Sequence, residues 1–342
     1  MYEPGAAGHS GGGVDLADPH WFPDDLNLAT GRARFVRVSR EELSRQPFLD
    51  PRWSRAGLPQ REAPGTALTA PEGDHRPRLN FIWHTSYCCS TVLAAALDRP
   101  GVNLSLKEPQ ALVGLANLKR GQGGALKRPP LARALFGLYA RRFSSAEQVL
   151  IKPSNFANNL IAEAGEMTDG RMLMLYSSCR SFLISIIKAH EDRRAFPREL
   201  FVSLSMDGHP QAKWPTATLV RLTDLQIAAT AWQMQIAEMR RGMARLGDRA
   251  ASLDGDRFAS DPRAVVEALD GFFGLGLGAS DEAAWLERDV KTGGERDENA
   301  RREDAERIER EWGGALDRII EWSARASGAA AEEPPLGRPL LP

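Results

Sequence analysis

The chain is poor in cysteine. Its 342 residues include three, Cys88, Cys89 and Cys179. An odd, small number in a chain this long does not form a disulfide framework and points to a reducing, cytoplasmic setting. Long apolar runs are also missing, so no segment is suited to span a bilayer. The opening MYEPGAAGHSGGGVDLADPH lacks the basic start and apolar stretch of a secretory signal. Excess charge of either sign is absent: 44 Lys and Arg face 45 Asp and Glu, for a net charge of -1. That balance argues against a nucleic-acid coat or a polybasic membrane anchor. There is no internal repeat. What remains, with 42% hydrophobic and 26% charged residues, is the composition of a globular protein with a substantial core.

The first residues, to about position 20, are Gly-rich. RARFVRVS (Arg32–Ser39) alternates like a short strand, and Arg40–Asp50 follows with helix-like spacing. Trp53–Arg78, rich in Pro, Gly and charge, reads as a long surface connection. LNFIW (Leu79–Trp83) is a nearly continuous apolar run of the kind that makes a buried parallel strand. A polar loop, HTSYCC, leads from it into STVLAAALD (Ser90–Asp98), a helix ended by Pro100 and Gly101. Val102–Pro109 is the next strand candidate, which completes a βαβ unit.

Further strands are expected at Gln148–Ser154, Arg171–Tyr176 and Ala217–Leu222. Helices are expected at Phe156–Met167, Ser181–Arg194, Thr223–Leu246, Asp261–Leu275 and Asp304–Ser327. Thr223 is a candidate cap, and Pro262 falls in a first turn. Lys119–Pro130 reads as a basic loop between helices. Alternating strands and helices predict an α/β fold with a parallel sheet.

The most informative stretch is the first strand, loop and helix. Backbone N–H groups at a helix start, with the helix dipole, attract anions, and phosphate is a common occupant. Small residues at Ser86, Cys88, Cys89 and Ser90 let a ligand approach the backbone, and the hydroxyls of Ser90 and Thr91 add donors. An ordinary βα turn with Ser and Thr at its cap accounts for the same residues. A Walker A loop is excluded, because no Gly-Lys-Ser/Thr end is present. A tyrosine-phosphatase loop is excluded too, since Ala94 and Ala95 stand where its Arg would fall. The adjacent cysteines lack metal-ligand spacing.

FIWHTSYCCSTVLAAALD (Phe81–Asp98) resembles the phosphosulfate-binding loop and first helix of the sulfotransferase family. RMLMLYSSCRSFLISIIK (Arg171–Lys188) resembles that family's second motif, and FASDPRAVVEALDGFFGL (Phe258–Leu275) is similar to a C-terminal element of its bacterial members. VKTGG (Val290–Gly294) falls where others place a basic loop over the nucleotide. The likeness runs from about Leu79 to Gly294 and suggests a divergent bacterial branch. It implies a three-layer α/β sandwich of the P-loop nucleoside-triphosphate-hydrolase type, with 3′-phosphoadenosine 5′-phosphosulfate as co-substrate and no metal. The loop Ser86, Tyr87, Cys88, Cys89, Ser90 and Thr91 would hold the phosphosulfate, while Arg180, Ser185 and Lys291 would hold the rest of the nucleotide. The pattern departs from the family at four points: Tyr87 replaces the loop's Lys or Arg, Cys89 its Gly, Ser177 the second motif's first Arg, and Cys179 its Pro.

Sulfuryl transfer needs cations and oriented N–H donors for the charge on the leaving phosphate, and a base for the acceptor's proton. Glu108, at the end of the strand in LKEP, is the first candidate base, and His84 is the second. Lys152, ending the strand in LIKPS, is a candidate for the cation that Tyr87 does not supply. Each also has a plain reading, as a solvated strand end or a histidine satisfied by backbone. The expected organisation is an N-terminal extension (1–78), a sulfotransferase-like domain (79–327) and a flexible tail (328–342). The expected partner is a small-molecule or glycan acceptor, with neither nucleic acid nor a membrane span. The alternative is a non-catalytic relative that keeps the fold and an anion pocket. A Lys152 side chain aimed at the loop favours catalysis, and one in solvent favours the binding module.

Overall fold

The computed structural model describes residues 13–68, 76–127, 129–189, 195–278, 298–328 and 336–341 (backbone only for 298–301). Strands β1 (Trp21–Asn27), β2 (Arg32–Arg37) and β3 (Gln60–Pro64) form an antiparallel sheet in that order. β3 lies inside the stretch expected to be a surface connection. QREAP carries no large apolar residue and ends on Pro, as suits an edge strand. This sheet docks firmly on the rest of the chain. Arg40, in α1 (Arg40–Arg45), is buried and bonded to Asp98 at 2.6 Å and Glu147 at 2.8 Å.

The main sheet contains β4 (Asn80–His84), β5 (Asn103–Lys107), β6 (Gln148–Lys152), β7 (Met172–Tyr176) and β8 (Ala250–Asp254). Its order is β5-β6-β4-β7-β8, with every neighbour parallel. Alternate residues feed two cores. Phe81, Trp83, Ile151 and Met174 join one, while Ile82, Leu150, Leu173 and Leu175 join the other. The second core is covered by α2 (Ser90–Ala96) and a later helix at Pro262–Phe273. The first takes α3 (Gln110–Gly121), α4 (Pro129–Tyr139), α5 (Ile161–Met167), α6 (Cys179–Lys188) and the N-terminal sheet. Gly114 of α3 lets Leu26 of β1 come close: a Cβ there would lie 2.9 Å from the Leu26 carbonyl oxygen. The α/β class with a parallel sheet between helical layers is therefore the observed one.

Beyond α7 (Phe196–Ser205), the expected strand at Ala217–Leu222 is instead the single helical turn α8 (Thr216–Leu219). Val220 there is 75% exposed, so the β-branched run has no sheet to join. The fifth strand is β8, whose AASLD lacks β-branched residues and carries little strand signal. Thr223 caps α9 (Asp224–Leu246) through a capping box with Gln226. The helix read as Phe156–Met167 begins as a 3₁₀ segment, Asn155–Leu160, before α5. Two residues of the expected basic loop are not solvated: Arg120 pairs with Asp207 at 2.8 Å and Lys119 with Glu163 at 2.7 Å. α10 (Gly255–Ser260), α11 (Pro262–Phe273) and α12 (Glu298–Ser327) complete the described helices. Residues 336–341, within the expected tail, run along β8, with Ser252 N donating to Arg338 O at 2.9 Å and Leu336 buried. Among the described residues no helix is long and apolar enough to cross a membrane.

Candidate functional site

From β4 the chain crosses to β5 and β6 on one side and later to β7 and β8 on the other. The carboxyl end of β4 is thus the point where the winding reverses, and ligands of open α/β sheets bind in the crevice there. The loop between β4 and α2 occupies this place. Ser86 (φ 72°), Tyr87 (φ 54°) and Cys89 (φ 61°) are all left-handed, as is Glu108 (φ 57°) just after β5. Among the described residues Arg338 is the only other non-glycine residue with positive φ. Each such residue costs about 1–2 kcal/mol, and clustered strain is characteristic of functional loops. Turns of this kind can aim successive backbone N–H groups into one concavity that suits an anion.

Neighbouring elements hold the loop in shape. Thr85 N donates to Leu175 O at 3.2 Å, and Ser177 N donates to Thr85 Oγ1 at 3.3 Å. Gly255 leaves room for the loop's backbone, since a Cβ there would lie 2.8 Å from Cys88 O. Cys88 is buried, and its desolvation pushes the thiol up to about 11. No side chain caps the start of α2, where Ser90 and Thr91 are buried.

Polar groups converge beside the loop. Lys152 is fully buried at the end of β6, and its Nζ donates to Thr91 Oγ1 at 3.3 Å and is ion-paired with Glu108. Glu108 is fastened to the same strand by its backbone, N–H to Lys152 O at 2.6 Å. Its other carboxylate oxygen accepts from Arg52 Nη2 at 2.9 Å. Lys107, one residue earlier, points away: its Nζ donates to Ser44 O at 2.9 Å, and burial pushes its ammonium down to about 8. His84 has both ring nitrogens engaged. Nδ1 accepts from Ser86 N at 3.1 Å, which leaves the proton on Nε2 to be donated to Pro153 O at 2.9 Å.

A cleft of about 460 Å³ opens over this arrangement. Of the residues expected from the sequence, His84, Ser86, Tyr87, Ser90, Thr91 and Glu108 line it. Lys152 lies beneath, in contact with two of these. Cys88 and Cys89 pack against the core on the α2 face instead. Arg180 and Ser185 are not brought to the cleft. Arg180 is ion-paired with Glu309, at 2.7 Å, and with Asp317, and Ser185 Oγ donates to Ser181 O at 2.9 Å. Lys291 and the Val290–Gly294 stretch lie outside the described residues.

The structure adds residues that the sequence did not single out. Phe48, Asp50 and Arg52 line the cleft from the N-terminal segment, with Phe156 and Phe196 also on its wall. Leu49 pins that segment to the sheet, its N–H donating to Lys107 O at 2.7 Å and its carbonyl accepting from Gln110 N at 3.0 Å. The Tyr87 ring meets Phe182 and Phe196 edge-on, with centroids at 5.7 and 5.8 Å. Burial works against the Arg52 charge, but Asp50 and Glu108 outweigh it and raise the guanidinium pKa. Nothing in PFLDPRW marks these residues as a site, because their role comes from where the chain crosses the end of β5. A second cavity, of about 390 Å³, is bordered by the ion pairs Lys119–Glu163 and Arg241–Glu238 and holds none of the loop residues. Among the described residues no cluster of His, Cys, Asp and Glu is arranged to hold a metal ion.

No family model matches this sequence, and no curated protein is significantly similar to it. Solved structures of similar shape include a sulfotransferase domain from the curacin biosynthetic pathway, at 13% identity over 64% of this chain and 81% of that one, with a TM-score of 0.40. A sulfotransferase from Alicyclobacillus acidocaldarius is 14% identical over 75% of this chain and 97% of that one, with a TM-score of 0.40. The sulfotransferase domain of the Synechococcus PCC 7002 olefin synthase is 15% identical over 68% of this chain and 86% of that one, with a TM-score of 0.36. At these identities and TM-scores no residue role is carried over. The fold class stands on the strand order itself.

Proposed function

We propose that the chain is a transferase that moves a sulfuryl group from 3′-phosphoadenosine 5′-phosphosulfate to a hydroxyl or amine acceptor. The observation that carries this reading is Lys152, whose buried ammonium reaches both Thr91 at the loop, at 3.3 Å, and Glu108. A buried charge is costly unless it is paired or used, and Lys152 is paired toward the loop, where it can act on a bound anion. The strained loop and the cleft volume, within the roughly 300–1,000 Å³ of small-molecule sites, fit the anionic end of the co-substrate. Among the described residues, Arg180 and Ser185, the candidates for the rest of the nucleotide, are not at the cleft.

The co-substrate supplies the sulfuryl group: the acceptor's O–S or N–S bond forms as the S–O bond to phosphate breaks, and the electron pair leaves on the phosphate. Loop amides with Ser90 and Thr91 hold the anion. Lys152 balances the charge that grows on the leaving phosphate, a contribution of about 10²–10³ in rate for one such donor. Glu108 takes the acceptor's proton. His84, with both nitrogens bonded to backbone, positions the loop through Ser86.

Thermal unfolding with and without 3′-phosphoadenosine 5′-phosphate tests the site. A ligand at a hundred times its dissociation constant adds roughly 2.7 kcal/mol, which raises the midpoint by several degrees. ATP and sulfate serve as controls, and a Ser90→Ala/Thr91→Ala variant loses the response. No shift in well-folded protein would overturn the co-substrate assignment. A shift without any turnover across an acceptor panel would favour the non-catalytic relative.

A further inference from the structure

Glu108 is held by two cations at once. One oxygen is paired with Lys152, and the other accepts from Arg52 at 2.9 Å. The Arg52 guanidinium is itself fixed, lying 3.4 Å over the Phe48 ring, with its Nε donating to Asp50 Oδ2 at 2.8 Å. Lys152 Nζ sits 5.5 Å from the same ring. Two positive and two negative side chains, Lys152, Arg52, Glu108 and Asp50, thus neutralise one another at the cleft. An anion arriving there must compete with a carboxylate for both cations. Asp50 is bound to Arg52 by its own chain neighbourhood, so Glu108 is the one that gives way. Glu108 has a left-handed backbone at the end of β5, held by its N–H bond to Lys152 O, so its carboxylate can swing away by rotation of the side chain alone.

We infer that Arg52 is a second anion-binding cation of this site, and that an anion entering the cleft displaces Glu108 from Arg52 and Lys152 and so frees the carboxylate. This rests on the proposed reading of the cleft. It assigns to the N-terminal segment the charge that the loop lacks at Tyr87. It also orders the reaction. Before the anion binds, both oxygens of Glu108 are engaged, and an acceptor alone meets no free base. Afterwards the carboxylate accepts the acceptor's proton as the new bond to sulfur forms and the bond to phosphate breaks with its electron pair. The proton then passes to water.

The test is calorimetric titration of pyrophosphate and of 3′-phosphoadenosine 5′-phosphate into the full chain and its Glu108→Gln, Arg52→Gln and doubly substituted variants. Removing the competing carboxylate is expected to tighten both probes by about tenfold, and removing the guanidinium to weaken both by about tenfold. The Arg52→Gln loss persists in the Glu108→Gln background if Arg52 touches the anion, and vanishes if Arg52 acts only through Glu108. Vanishing would overturn its assignment. Equal affinities for wild type and Glu108→Gln would overturn the displacement. If pyrophosphate follows the expected pattern while the nucleotide does not bind, the clamp stands and the co-substrate reading falls. Failure of pyrophosphate to bind any folded variant overturns the clamp. Arg52 is half-exposed, so Arg52→Gln is expected to fold, and should Glu108→Gln not fold, Glu108→Asp, whose shorter carboxylate cannot reach both cations, takes its place in the same set of variants.

Discussion

The loops after β4 and β7 leave adjacent parallel strands, and each feeds a helix. They nevertheless close in opposite ways. The β4 loop takes three left-handed residues, leaves α2 without a side-chain cap and faces a cleft where Lys152, Glu108 and Arg52 meet. The β7 loop has no positive φ, and Ser178 caps α6 by accepting from Ser181 N at 3.0 Å. Trp232 Nε1 donates to Ser177 O at 2.9 Å, and Arg180 is taken up by Glu309 and Asp317 of α12. A strand, a short loop and a helix start therefore do not make an anion site by themselves. The difference lies in whether the helix's first N–H groups are already capped by a side chain and whether the nearby cations stand at a cleft or against another helix.

Substituting one cation beside each loop tests this contrast most strongly. Lys152→Met is expected to weaken 3′-phosphoadenosine 5′-phosphate by about 30-fold or more, since it removes a desolvated charge from the site. Arg180→Met, whose charge is spoken for by two carboxylates on α12, should change the affinity by less than about threefold. Calorimetric titration reads both. Equal losses would mean that α12 releases Arg180 to the ligand and that the two loops form one site.

Packing beneath the β4 loop gives the next largest effect. A Cβ at Gly255 would sit 2.8 Å from Cys88 O, a backbone atom that can move only with the loop. Gly255→Ala should therefore cost about 1–3 kcal/mol in urea unfolding. Gly271, in α11, has nothing within 4 Å of its Cβ position, so Gly271→Ala should stabilise by about 0.5–1 kcal/mol. If Gly255→Ala proved as harmless as Gly271→Ala, the loop would be freer than its contacts imply.

These contrasts also show what the sequence made legible. Three of the five parallel strands were readable because a strand buried on both faces is a continuous apolar run, as in FIW, VLI and MLML, and β5, NLSLK, was readable as the strand that completes the βαβ unit. β8 was not, because AASLD has neither length nor β-branched residues. The loop Ser86–Thr91 and the strand-end residues Glu108 and Lys152 were legible as candidates, since strand ends next to small polar residues stand out locally. Arg52 and Phe48 were not, because their place in the cleft depends on a crossing over β5 that no local pattern encodes. Arg180 stood out as a cation, but its engagement by α12 is a contact across more than a hundred residues.

Cap chemistry separates the loops on a smaller scale. Ser178→Ala should cost about 1 kcal/mol, the usual loss of an N-cap hydroxyl. Cys89, the left-handed N-cap of α2, has no side-chain cap bond to lose, and Cys89→Gly relieves a strained φ for a gain of up to about 1 kcal/mol. Paired urea titrations measure the two signs. Destabilisation by Cys89→Gly would show that its thiol, rather than the backbone, holds the turn.

The thiols provide the mildest probe, one that perturbs neither loop beforehand. Cys88 lies under the β4 loop with its Sγ 3.7 Å from Leu175 O, and burial pushes its thiol up to about 11, so almost none of it is thiolate at pH 8. Cys179 is equally buried at the start of α6, on the closed side. Only Cys89 is partly exposed, on the open side. Iodoacetamide at pH 8 should accordingly label Cys89 first in the folded protein, and all three cysteines after denaturation. Mass spectrometry of the digested chain locates the label. Labelling of Cys88 at a rate near that of Cys89 would mean that the β4 loop opens readily from β7, and the pinned, strained loop on which the anion site depends would then be one conformation among several.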